Sequence, residues 1–196
     1  MKTIKYSINF FSEWHAGSGL TSGYNLDALV IKDKNGLPYI PGRTLKGLLR
    51  EAAEELSDLG ICNEKFVMQV FGKPSEQVTI YSNIENNSTQ GVCFFSNATI
   101  SEDLSTVVRA NQYSSFFYRS VASTAIEADK GVARKHSLRI METTIPCTLF
   151  AEIMDIPDEF EISIENCLKW IKRLGQNRNR GFGRCEFKLY KQEATL

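Results

Sequence analysis

Three neighbouring pieces decide the fold: Trp14-His15-Ala16-Gly17-Ser18-Gly19-Leu20, then Leu26-Asp27-Ala28-Leu29-Val30-Ile31-Lys32-Asp33, then Leu37-Pro38-Tyr39-Ile40-Pro41-Gly42-Arg43-Thr44-Leu45-Lys46-Gly47-Leu48-Leu49-Arg50. They read as a glycine loop, a short strand, a turn and a helix. Gly17, Gly19 and Gly23 leave little side chain on the loop, and glycine lets another backbone come close. Asp27 opens the strand. Asn35-Gly36 is a strong turn signal. Pro38 and Pro41 hold the approach to the helix extended, because a proline disfavours the helical region for its predecessor.

After Gly42 the apolar residues Leu45, Leu48, Leu49, Ala52, Ala53 and Leu56 recur at helical spacing and form one stripe. Arg43, Lys46 and Arg50 occupy a different face. Cations near a helix start oppose the macrodipole, so local stability does not account for them. They suit a bound anion; a solvated basic face with no partner is the commoner origin of such a stripe.

With 196 residues the chain is long enough for one domain with a real core. Its formal net charge is zero, so binding of a polyanion must come from local patches. The five cysteines are scattered, with no CxxC pair, and support neither a zinc ribbon nor a disulfide framework. Free thiols in apolar runs fit a reducing, cytoplasmic compartment. The first residues alternate like a strand and lack the apolar core of a signal peptide. No apolar run approaches the roughly 20 residues that span a bilayer.

Outward from the opening stretch, Ile4, Tyr6, Ile8 and Phe10 alternate with polar residues as in a strand. A second helix is expected over about 63–71, ending at Gly72 and Pro74. Residues 75–90 read as a polar loop and 91–100 as a buried strand. Residues 101–125, with Tyr113, Phe116, Phe117 and Tyr118, suggest an extended excursion from the core. Residues 126–154 read mostly as strand around a charged turn at Asp129-Lys130-Gly131. A strand from Glu159 to Ile162 is expected next, then a helix capped by Ser163 and ended by Gly175. The last strand alternates Cys185, Phe187 and Leu189 against Glu186, Lys188 and Tyr190. Strand-helix-strand twice over is the α+β, ferredoxin-like pattern with an antiparallel sheet, elaborated here by inserted hairpins.

Before that last strand, Arg178, Arg180 and Arg184 interleave with Gly181 and Gly183. Guanidinium groups bind phosphates bidentately, and the glycines would admit a nucleic-acid backbone. A tight turn with solvated arginines is the plainer alternative. Two separate sites of glycine and cation suit one extended polyanion. The glycines at 17–23 are no dinucleotide fingerprint, since a strand follows them where a helix is required. The run Pro41–Gly47 is no P-loop, because Gly47 follows Lys46. His15 and His136 form no metal-binding pair, and a lone histidine is commonly structural. Asp27 is either a turn residue or a carboxylate able to hold hydrated Mg²⁺ against a phosphate.

The residues quoted around His15–Gly19, Asp27–Asp33 and Leu37–Arg50, with Arg180-Gly181-Phe182-Gly183-Arg184, resemble the RAMP superfamily, the RNA-binding subunits of CRISPR effector complexes. Phe71-Gly72 and Gly131-Val132-Ala133 also fit. Among these proteins the chain is most similar to backbone subunits of type III complexes. The resemblance implies one RAMP domain over 1–196, with an RRM-like palm and a thumb that enters the guide–target duplex. Residues 101–125 are the candidate thumb. It also implies a filament of copies along a guide RNA, beside other effector subunits and complementary target RNA, with no membrane. Asp27 falls where such subunits carry the aspartate that cuts target RNA with a divalent metal. His15, Gly17, Ser18 and Gly19, the cations Arg43, Lys46 and Arg50, and the C-terminal glycine–arginine loop are the expected RNA contacts.

Three readings remain open on sequence alone. The chain is a metal-dependent endoribonuclease within a complex, a binding or capping subunit in which Asp27 is structural, or a metal-independent repeat-processing RNase with His15 as general base.

Overall fold

A computed structural model describes residues 1–22, 26–73 and 89–190. In chain order these form β1 (Lys2–Phe10), β2 (Tyr39–Ile40), α1 (Gly42–Asp58), α2 (Glu64–Phe71), β3 (Gly72–Lys73), β4 (Thr89–Gln90) and β5 (Phe94–Phe95). Then follow β6 (Ala98–Thr99), α3 (Glu102–Asn111), β7 (Tyr118–Ser123), β8 (Arg139–Thr144), β9 (Thr148–Ile156), α4 (Glu161–Trp170) and β10 (Cys185–Leu189).

Alternation of apolar and polar residues makes β1 an inner strand of the main sheet. Ile4, Tyr6, Ile8 and Phe10 are buried on its helix-covered face, and full burial of such a side chain is worth roughly 1.5–3 kcal/mol. β1 pairs antiparallel with β10 on one side and β9 on the other. The sheet order is β10-β1-β9-β6-β2, and β5 also pairs with β9. With β5 and β6 taken as one interrupted strand, the spatial order is last, first, third, second. That is the ferredoxin-like β-α-β-β-α-β arrangement expected from the sequence. α1 and α4 pack side by side and cover one face of the sheet through β5 and β10. The apolar stripe of α1 is buried as its spacing requires, with Leu48 at the edge.

The expected strand over 91–100 is broken at Ser96-Asn97. Phe95 pairs with Ile153 and Thr99 with Phe150, so the outer strand holds one residue more than its partner, a bulge. The break has a use: Asn97 Oδ1 accepts the Gly42 N–H at 2.8 Å, which caps α1. Pro41, the residue before the helix, offers no side-chain cap. Gly42 is required by space, since a Cβ there would lie 2.1 Å from Phe95 O.

Four expectations are corrected. Glu159–Ile162 is no strand: Asp158–Phe160 form a 3₁₀ turn and α4 starts at Glu161. Pro157 with Asp158, Glu159 and Glu161 after it is a helix-start composition, which outweighs a four-residue alternation. Ser163 therefore lies inside α4 and does not cap it. The helix ends at Trp170, and Ile171 is extended with φ −72° and ψ 120°. Ile171 and Leu174 are buried all the same, so their helical spacing was satisfied by a packed loop. The stretch after Asp27 makes isolated bridges only, Ala28 to Met141, Val30 to Gly17 and Lys32 to Pro38.

Residues 101–125 divide in two. Ser101 caps α3 by accepting the Leu104 N–H. Val108 and Phe117 are buried in the core, so this part belongs to the palm. The excursion begins at Tyr118 and returns at Thr144, as the two-stranded sheet β7–β8 paired from Tyr118↔Thr144 to Ser123↔Arg139. The Asp129-Lys130-Gly131 turn closes it, with Gly131 N–H donating to Glu127 O. The polar loop expected over 75–90 lies almost wholly outside the described residues, as do Gly23 and Pro74. All five cysteines are free thiols; burial pushes Cys167 and Cys185 up to about 12, which leaves them protonated and inert.

Candidate nucleic-acid interface

Three segments converge where β1 ends. The first is the loop from Phe11 onward. Phe11 N–H donates to Arg184 O, Arg184 N–H to Ser12 Oγ and Gly183 N–H to Glu13 O, at 2.8, 2.9 and 2.7 Å. Trp14 and Thr144 exchange both backbone hydrogen bonds at 3.0 and 2.8 Å, which ties this loop to the hairpin base. Gln176 N–H donates to His15 O at 2.9 Å. The N-terminal glycine loop, the hairpin and the C-terminal glycine–arginine loop are therefore one assembly, although Trp14 and His15 lie more than 100 positions from their partners Thr144 and Gln176.

Two glycines of this assembly are needed for packing on protein. A Cβ on Gly175 would lie 2.6 Å from His15 O, and one on Gly183 would lie 1.8 Å from Leu174 O. Gly183 thus seats its loop against Leu174 and is not the open approach for a nucleic acid expected from the sequence. Gly181, with φ +89°, faces open space, as does Gly19 with φ +77°. Gly17 sits over the His15 ring. Ser18 Oγ donates to Leu29 O at 3.0 Å and accepts the Leu20 N–H, so it shapes the loop.

His15 is buried at 1% exposure. Its Nδ1 lies 2.6 Å from Glu142 O. A carbonyl only accepts, so Nδ1 carries the proton. The ring is a buried post between loop and hairpin, and the expected RNA contact through its side chain does not exist in this arrangement.

Asp27 is exposed. Its N–H donates to Ile140 O at 2.8 Å, and its Oδ2 accepts the Ile140 N–H at 2.7 Å. The carboxylate is thereby clamped to the start of β8, while Oδ1 has no hydrogen bond among the described residues. One residue back, Arg139 lines a cleft of about 650 Å³ between the outer hairpin and the C-terminal loop. Arg134, Lys135, His136 and Arg180 line it too, together with serine, threonine and apolar residues and no acid.

The sequence reading missed Arg134, Lys135, His136 and Arg139. The signal was present as four cationic or titratable side chains within six residues, beside a glycine turn.

The other expected contacts disperse. Arg178 turns away from the cleft to Glu51 on α1, at 3.1 Å; that carboxylate holds its guanidinium pKa above the ordinary value. Arg184 lies over the Phe11 ring at 5.9 Å. Arg43 is exposed and Lys46 half-buried, and Arg50 pairs with Glu54 at 2.7 Å. None of these three lines the cleft. No group of three or more His, Cys, Asp or Glu residues forms a ready metal site among the described residues. Asp27 offers one open carboxylate oxygen, and hydrated Mg²⁺ takes one or two protein carboxylates together with phosphate oxygens. The residue fits such an ion only in company with a phosphate.

A ferredoxin-like sheet that carries an inserted hairpin and a glycine–arginine loop against the end of its first strand defines a class of α+β palm proteins. The chain belongs to the RAMP superfamily, whose family model matches residues 7–186. Two solved structures share its fold. One is a chain of a type III-B Cmr-beta complex bound to cognate target RNA, with TM-score 0.67, 11% identity, and coverage of 96% of this chain and 97% of that one. The other is a chain of type III-B Cmr-beta in the apo state, with TM-score 0.65, 12% identity, and coverage of 97% and 98%. No curated protein matches the sequence. No helix among the described residues is long and apolar enough to cross a membrane.

Proposed function

We propose that this chain is an RNA-binding subunit of a type III CRISPR effector complex, that it holds guide RNA along a filament of copies beside other effector subunits, and that Asp27 takes part in cutting complementary target RNA. The observation that carries the reading is the placement of Asp27: an exposed carboxylate fixed to the start of β8 in the hairpin, next to an acid-free cleft of arginine and lysine. The cleft attracts a sugar–phosphate backbone. The hairpin β7–β8 is the projecting thumb, and its tip exposes Ile126, Val132 and Leu138. Asp27 is the residue that would hold a divalent ion such as Mg²⁺, which when bound supplies charge stabilisation at a phosphate. The chain itself aligns the RNA, through the cleft on one side and the glycine loop on the other, so that a 2′-hydroxyl stands in line with its leaving oxygen.

A binding-only role is favoured by one specific observation: Asp27 Oδ2 already has a structural partner in the Ile140 N–H. One variant decides. Asp27→Asn keeps an oxygen to accept that N–H and removes the charge. In complexes reconstituted with end-labelled target RNA, Asp27→Asn should retain target binding and lose the evenly spaced cuts, and EDTA should stop the unsubstituted complex. Full cleavage by the Asp27→Asn complex would leave the binding-only reading standing.

A further inference from the structure

The face of the main sheet opposite the helices carries a second candidate site. Register places Lys188, Ser7, Phe150 and Thr99 in one row across β10, β1, β9 and β6. The next row holds Tyr190, whose N–H donates to Lys5 O, then Lys5 and Glu152. Phe150 and Tyr190 meet edge to face across these rows, with ring centroids 5.5 Å apart. Ser7 between them is buried. Phe150 is half-buried and Tyr190 is 47% exposed, so the pair has a fixed inner ring and an accessible outer one. Both rings border a cleft of about 360 Å³, whose rim carries the amide of Asn97 and the hydroxyls of Thr99 and Ser101.

We propose that this cleft takes a base of single-stranded RNA, stacked on Tyr190 and Phe150. Lys5 and Glu152 stand opposite each other in the register, so their charges offset and the site does not select a phosphate. What remains is an aromatic floor edged by small donors and acceptors, which is the chemistry that recognises an unpaired base. A volume near the lower end for small-molecule pockets suits one flat ring system better than a protein segment. The site shares no lining residue with the basic cleft, which would grip the backbone. Two contacts of different kind on one palm would hold a strand by its phosphates in one place and by a base in another.

This inference rests on the RNA-binding reading above, and its test separates the two. The full chain is titrated with a short oligouridylate and with an abasic oligomer of equal length and charge. The chain should bind the oligouridylate about tenfold more tightly. Tyr190→Ala should remove most of that preference and leave abasic binding unchanged, and Tyr190→Phe should preserve it. Phe150→Leu, which keeps apolar volume, should weaken the preference with an unaltered far-UV CD spectrum. A 4-thiouridine oligomer should crosslink to the peptides of Phe150 or Tyr190. Equal binding of both oligomers by the unsubstituted chain overturns the base site and leaves the RNA-binding reading intact; binding of neither overturns both. A Tyr190→Ala chain that keeps the full base preference but changes its self-association assigns the face to protein contacts and overturns the proposal.

Discussion

Glu142 organises the hairpin base as one residue. Its Oε1 pairs with Lys32 at 2.7 Å, its Oε2 accepts the Val30 N–H at 3.2 Å, and its backbone oxygen accepts the hydrogen bond from His15 Nδ1–H. Lys32 in turn lies over the Tyr118 ring at 4.0 Å, and Tyr118 donates its hydroxyl proton to Gly36 O at 2.7 Å. Burial first, and the Glu142 charge second, push the Tyr118 hydroxyl well above its ordinary range. Replacing Glu142 by Leu strands an ammonium and a buried N–H, and should cost about 2 kcal/mol. Glu142→Gln keeps an acceptor for Val30 and should cost clearly less. Urea unfolding midpoints measure both; equal losses would mean that the charge carries the whole effect and that the acceptor for Val30 contributes nothing. Nothing in the sequence pointed to Glu142, because its partners lie more than 100 positions away and it sits in an ordinary strand. Asp27 stands out in the sequence because it follows a glycine loop. His15 was legible as important and misread in kind, since burial is not visible in a lone histidine.

Among the elements, the C-terminal loop separates what local pattern tells from what packing decides. Its glycines and arginines stand out in the sequence, but which glycine touches what depends on the loop across from it. Gly181 and Gly183 both have positive φ, 89° and 65°. Gly181→Ala meets open space and should cost only the left-handed strain, about 1–2 kcal/mol. Gly183→Ala adds a collision at 1.8 Å with Leu174 O, so the loop must move, and its loss should be the larger by a clear margin. Thermal unfolding ranks the two; a Gly183→Ala chain as stable as Gly181→Ala would refute the packing role. The same limit explains the errors around α4. Ile171 and Leu174 continue a helical spacing into a loop, and periodicity cannot tell a buried loop from a buried helix. α1 is legible because a stripe from Leu45 to Leu56, about three turns, leaves no such ambiguity. The hairpin was half seen: its aromatic start was read as the excursion, while the basic stretch that forms its cleft was read as plain strand.

At the scale of the molecule, a net charge of zero coexists with a local site of one sign. Arg134, Lys135, Arg139 and Arg180 come together from two distant segments, and only the fold brings Arg180 to the other three. Single-stranded nucleic acid loses affinity with salt at a log–log slope of about −0.7 per neutralised phosphate. Arg139→Ala with Arg180→Ala removes two candidate phosphate contacts and should flatten the slope by about 1.4. Arg178, which the sequence placed with Arg180, is held by Glu51 on another face. Arg178→Ala should therefore leave the slope almost unchanged, and the pair Arg178→Ala with Arg180→Ala should behave like Arg180→Ala alone. Titration of one oligomer across a salt series, repeated with a scrambled sequence, reads both the slope and its indifference to sequence. A slope that responds to Arg178 and ignores Arg139 would move the backbone track out of the hairpin cleft and onto the face of α1, beside Arg43 and Lys46.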